Sequence, residues 1–125
     1  MSLTKKKIFL VEDDFMFSTM MKDHLEESGR FDITVFPTGE ECLKKIYDNP
    51  AYVILDYNLN SHDANAQNGI QILESIHKLD ADIFVIMLSS QESYGVAAKS
   101  IMKGAGSYII KDNDAFQKID ALLED

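Results

Sequence analysis

Three acids stand in a row at Glu12-Asp13-Asp14, and a fourth, Asp56, closes the apolar run YVILD. Ser89-Ser90 and Lys111 close two further apolar runs. Taken singly, each has an ordinary explanation: Asp14 could cap a helix, Ser89 or Ser90 another, and Lys111 could be a solvated strand end. Taken together they can do chemistry. Carboxylates crowded at one place repel and raise one another's pKa unless a cation neutralises them. Mg2+ (or Mn2+) is the economical answer, because it takes oxygen ligands from one or two carboxylates and leaves positions open to water or phosphate. A carboxylate is also a nucleophile that can accept a phosphoryl group as an aspartyl phosphate. That transfer needs fixed positive charge beside the moving oxygens. On this reading Asp56 is the acceptor, Asp13 and Asp14 hold the metal, Lys111 pairs with the phosphate, and the Ser89 hydroxyl reaches a phosphoryl oxygen.

The elements that must position these groups follow from hydrophobic period. Short β-branched or apolar runs at Lys7–Glu12, Ile33–Phe36, Tyr52–Asp56, Ile83–Leu88 and Ser107–Lys111 read as strands. Between them, helices are expected over Phe15–Ser28, Glu40–Asp48, Gly69–Leu79, Tyr94–Met102 and Ala115–Leu123. In the first helix Met16, Met20, Met21 and Leu25 are assigned to the core. Gly29 and Asn49-Pro50 are stop signals. Residues 57–68 are polar, rich in Asn and follow neither period. Strands apolar on both faces and alternating with helices mean a parallel, doubly wound α/β sheet. Ligands bind such sheets at the carboxyl ends of the strands, which is where the acids, the serine and the lysine fall.

A chain of 125 residues is the size of one domain, taken as residues 4–125, with no weight given to Met1-Ser2-Leu3. No apolar run approaches the roughly 20 residues that cross a bilayer. No secretory signal is visible, and a single cysteine, Cys42, can form no internal disulfide, so a cytoplasmic chain is expected. A net charge of −9 argues against direct nucleic-acid binding, which needs clustered Lys and Arg. Cys42 reads as a small buried apolar group, and His24, His62 and His77 share no metal-ligand spacing.

Over nearly its whole length the chain is similar to response-regulator receiver domains, the phosphoacceptor modules of two-component signalling. The matching pieces are Glu12-Asp13-Asp14, Asp56, Ser89, Tyr108 and Lys111. The resemblance implies the flavodoxin-like strand order 2-1-3-4-5 with five helices. It implies Mg2+-dependent transfer of phosphate to Asp56 from a phosphohistidine on a sensor histidine kinase or histidine phosphotransfer protein. It further implies slow self-dephosphorylation rather than turnover of an external substrate. The metal site it implies comprises Asp13, Asp14, Asp56 and the backbone carbonyl of Asn58, with Asp14 ligating directly and Asp13 partly through water. Ser89 would move toward the phosphate and Tyr108 turn inward, altering the surface of helix four, strand five and helix five. In the family that surface meets an output domain or protein partner, and homodimers form there.

The chain departs from the family at four places. Asn60 stands where Pro is usual after the acceptor, residues 60–68 form an insertion, Ser90 replaces a small Ala, and Asp112 replaces the Pro that follows the lysine. None removes a chemical group from the site, and the inserted loop is expected to tune dephosphorylation or kinase recognition. Other classes fit less well. Asp56-x-Asn58-x-Asn60 opens like an EF-hand loop, but Ser61 and Gln67 stand where Gly and Glu are needed. An aspartate-nucleophile phosphatase needs an acid two residues after the nucleophile, where Asn58 stands. No glycine-rich phosphate-binding motif supports a nucleotide site.

Overall fold

The computed structural model describes residues 4–59, 67–90 and 94–123. Five strands, β1 (Lys6–Val11), β2 (Phe31–Phe36), β3 (Tyr52–Asp56), β4 (Phe84–Ser89) and β5 (Ser107–Ile110), alternate with five helices. These are α1 (Phe15–Glu26), α2 (Gly39–Lys44), α3 (Gly69–Leu79), α4 (Tyr94–Met102) and α5 (Ala115–Leu122). The strands form one parallel sheet in the order β2-β1-β3-β4-β5.

Alternate residues of each strand point to opposite faces, and the sheet therefore carries two cores. Phe9, Val11, Val53, Leu55, Val85 and Met87 pack with Cys42, Ile72, Leu73 and Ile76 of α2 and α3. Ile8, Leu10, Ile54, Ile86 and Leu88 pack with Met21, Leu25 and Ile119 of α1 and α5. Helix α4 is held less closely: of its residues only Ser100 is buried, and Tyr94, Ile101 and Met102 are exposed.

Two expectations are corrected. Met16 and Met20 are 71% and 55% exposed and do not belong to the core. The inward stripe of α1 is instead Phe17, Met21 and Leu25, spaced by four residues, while Met16 and Met20 lie one step round the helix. The second helix is also shorter than expected. After α2 a single 3-10 turn, Ile46–Asp48, ends at Asn49 in the left-handed region (φ 58°), where Asn is tolerated better than most residues. Elsewhere, element boundaries shift by a residue or two; Gly29, also left-handed at φ 74°, stands just past the end of α1.

Register brings the site together. Val11 pairs with Leu55, Asp56 with Leu88, and Ser89 with Ile110. Glu12, Asp56, Ser89 and Lys111 consequently leave the sheet at one edge.

Candidate phosphoacceptor site

Asp56 is the last residue of β3, and its carboxylate is almost fully buried. Its Oδ1 accepts the Asn58 amide at 3.2 Å, a short loop that turns the chain immediately after the strand. The next residue, Tyr57, donates its amide to Leu88 O at 2.8 Å, which ties the turn to β4. The chain returns at Gly69, whose amide donates to Tyr57 O at 2.9 Å. A Cβ at Gly69 would lie 2.6 Å from Asp56 O and 2.7 Å from Tyr57 Cα, so only glycine lets α3 start this close to the acid. Asn68 and Gln71 then close a capping box at the head of α3.

Carboxylate oxygens of Glu12, Asp13 and Asp56 lie within 4.8 Å of one another. Asp13, expected as a metal ligand, lies in this group together with Glu12, and Asp14 lies outside it. Strand β1 ends at Val11, so Glu12 is the first residue off the sheet and is buried beside Asp56. Asp14 is exposed and occupies the N-cap of α1, where its Oδ1 accepts the Phe17 amide at 3.2 Å.

Lys111 follows β5, fixed by its amide donating to Ser89 O at 2.8 Å. Its ammonium lies 2.6 Å from Glu12 Oε1 and 3.4 Å from Asp56 Oδ1. Burial alone would lower its pKa, but Glu12 and Asp56 outweigh that and raise it. Burial first, and then the Asp56 charge, push the Glu12 carboxyl up to about 8 against the opposing pull of Lys111. The Lys111 ammonium and Glu12 Oε1, at 2.6 Å, make the shortest charged contact of the site. Three clustered carboxylates with a single ammonium beside them form an oxygen donor set that fits a hard divalent cation. Glu12, Asp13 and Asp56 can supply its protein ligands.

Ser89 is fully buried at the end of β4, and Ser90 is exposed. Tyr108 is half-buried on β5, opposite Met87 and against the α2–α3 core. Asp112 keeps a trans peptide and gives the β5–α5 turn bonds that proline could not. Its amide donates to Ile110 O, its Oδ1 accepts the Asp114 amide at 2.9 Å, and its Oδ2 lies 3.7 Å from Lys118 Nζ. Cys42 is buried, which pushes its thiol up to about 12, the behaviour of a packing group. His24 is half-buried and faces Asp120, and His77 is half-buried on α3. Residues 60–66 of the expected insertion, including Asn60 and His62, lie outside the described residues. Among the described residues no helix is long and apolar enough to cross a membrane.

Two residues beside Asp56 and Lys111 receive no separate role from the sequence. Glu12 reads as a strand end, although an aspartate directly before the first apolar residue of a helix marks Asp14 as a cap. Phe17, whose ring centre lies 4.6 Å from Lys111 Nζ, carries no sequence signal linking it to that lysine.

A parallel 2-1-3-4-5 sheet with a buried acidic cluster and a lysine at its carboxyl edge defines a flavodoxin-like α/β domain with a charged site at its strand ends. The model of the response regulator receiver domain matches residues 8–123, and the chain belongs to that family. It is 30% identical over 118 residues to the chemotaxis protein CheY of Listeria monocytogenes, an alignment covering 93% of this chain and 94% of that protein. A CheY-like receiver domain from Methanospirillum hungatei superposes with a TM-score of 0.82 at 27% identity, covering 97% of this chain and 93% of the other. A response regulator from Burkholderia pseudomallei, solved with a phosphorylated aspartic acid and a calcium ion, shares the fold at TM-score 0.80 and 19% identity. That match covers 94% of this chain and 66% of the other. The chain is therefore a receiver domain of two-component signalling, and its acidic pocket fits a phosphoacceptor.

Proposed function

We propose that Asp56 takes a phosphoryl group from the phosphohistidine of a sensor kinase or a histidine phosphotransfer protein. The observation that carries this is the Asp56 carboxylate, buried within the Glu12–Asp13–Asp56 cluster and 3.4 Å from the Lys111 ammonium. In the transfer an Asp56 oxygen attacks phosphorus, the P–N bond breaks, and the electron pair leaves with the imidazole. Lys111 supplies fixed positive charge to the phosphoryl oxygens, and its raised pKa keeps it charged throughout. Glu12, Asp13, Asp56 and the Asn58 carbonyl would hold Mg2+ or Mn2+, which supplies further charge neutralisation when bound. Ser89, at the neighbouring strand end, would give its hydroxyl to a phosphoryl oxygen, and Tyr108 would turn further inward. The α4–β5–α5 surface would then change for an output domain or protein partner. Water returns the aspartyl phosphate to the free acid, so the chain acts only on itself.

Stoichiometry tests this. Acetyl phosphate with Mg2+ is expected to add one phosphate per chain and then stop. Continuous turnover of acetyl phosphate far above the rate of loss of the adduct would make the chain a phosphatase instead.

A further inference from the structure

Both charged partners of the Lys111 ammonium belong to the cluster that would engage a cation. Their hold on the lysine must therefore change whenever the site is filled. A lysine has a flexible four-carbon stem and needs something constant to aim it. Phe17 is that constant contact: the Lys111 Nζ stands 4.6 Å from the centre of its ring. The face of an aromatic ring attracts an ammonium and responds neither to pH nor to metal binding.

The ring itself is fixed from two helices. Phe17 is the third residue of α1, and its amide is the one bonded by the Asp14 cap at 3.2 Å. Its side chain is half-buried against the α1–α5 core and meets Phe116 of α5 edge to face, with centroids 5.8 Å apart. Phe116 lies 5.0 Å from the His24 ring, whose Nε2 is 2.8 Å from Asp120 Oδ2 on α5. The acid expected to bind metal, Asp14, thus serves the site at one remove by setting the first turn that carries Phe17.

We infer that Phe17 is a positioning residue for phosphoryl transfer, holding the Lys111 ammonium over its ring while the carboxylates exchange partners. The inference rests on Asp56 being the phosphoacceptor, and its test separates the two claims. In the metal-free full chain, NMR should show the Lys111 ε-CH2 protons moved upfield by the ring. That displacement should vanish in Phe17→Leu and persist in Phe17→Tyr. With saturating Mg2+ and acetyl phosphate, Phe17→Leu should lose about three- to tenfold in maximal phosphorylation rate, the worth of a partly desolvated cation–π contact. Its Mg2+ affinity should stay within about twofold of wild type, and Phe17→Tyr should restore the rate. Phe17→Met, closer in shape, stands in if the leucine variant fails to fold. A wild type that takes phosphate but shows no upfield displacement overturns the inference, as does an equal rate loss in the leucine and tyrosine variants. A wild type that shows the displacement but takes no phosphate overturns the phosphoacceptor reading beneath it.

Discussion

Replacing Glu12 with glutamine should stabilise the metal-free protein at alkaline pH while weakening the cation site. The Glu12 carboxyl rises from 4.5 in an unperturbed chain to about 8 in the fold, through burial and then the Asp56 charge. Between those values the folded chain binds more protons than the unfolded one, so stability falls as pH rises. The stabilisation is fully present below pH 4.5 and is lost as pH climbs through 8. The linkage is on the order of a few kcal/mol at neutral pH and grows until pH passes the raised value. The glutamine side chain has no proton to lose, and the variant's stability curve lacks this component. Urea denaturation in EDTA from pH 5 to 9 should show wild type declining more steeply than Glu12→Gln. The curves should meet near pH 5 and separate by a few kcal/mol at pH 9. Saturating Mg2+ should recover much of the wild-type loss and little in the variant. Parallel curves for the two proteins in EDTA would mean that the Glu12 carboxyl is not raised in the fold.

The same protonation bears on metal affinity: Mg2+ binding, followed by calorimetry, should strengthen from pH 6 to 8 with release of a proton and then level off. A pH-independent affinity would place the ion away from Glu12. Gly69→Ala should cost about 1–3 kcal/mol in urea denaturation, because its Cβ would press on Asp56 O and Tyr57 Cα. An unchanged midpoint would show that α3 can retreat from the acceptor strand. Deleting residues 60–66 should leave Mg2+ binding and labelling by acetyl phosphate intact. Loss of both in a folded protein would mean that the loop supplies a group, with His62 and Asp63 the first to test.

The strands are legible because runs such as YVILD and IFVIML leave no polar face, and parallel strands so built end on the same edge. Their order comes from resemblance, since period says nothing about which strands are neighbours. Asp56 and Lys111 are legible for a related reason: each is the first charged residue after an apolar run, and register carries both to the same edge. The acidic triplet is harder to divide between cluster and cap. Hydrophobic pattern does not say whether Glu12 ends the strand or begins the turn, and only the turn geometry separates a buried carboxylate from a helix cap. Met16 and Met20 are misassigned because helical spacing admits two adjacent stripes, and packing against α5 selects Phe17, Met21 and Leu25. The contact between Phe17 and Lys111 joins the first and last thirds of the chain, and no local pattern encodes it.

Phosphoryl transfer to this chain depends on Asp56 carrying the phosphate. The most direct measurement is intact-mass analysis after incubation with acetyl phosphate and Mg2+, on wild type and Asp56→Asn in parallel. Fluorine NMR of the beryllofluoride adduct provides a second view of the same site. Wild type should gain one phosphate, located on Asp56 by peptide mapping, and Asp56→Asn should gain none while remaining folded. An Asp56→Asn protein phosphorylated at the wild-type rate would place the phosphate on another residue.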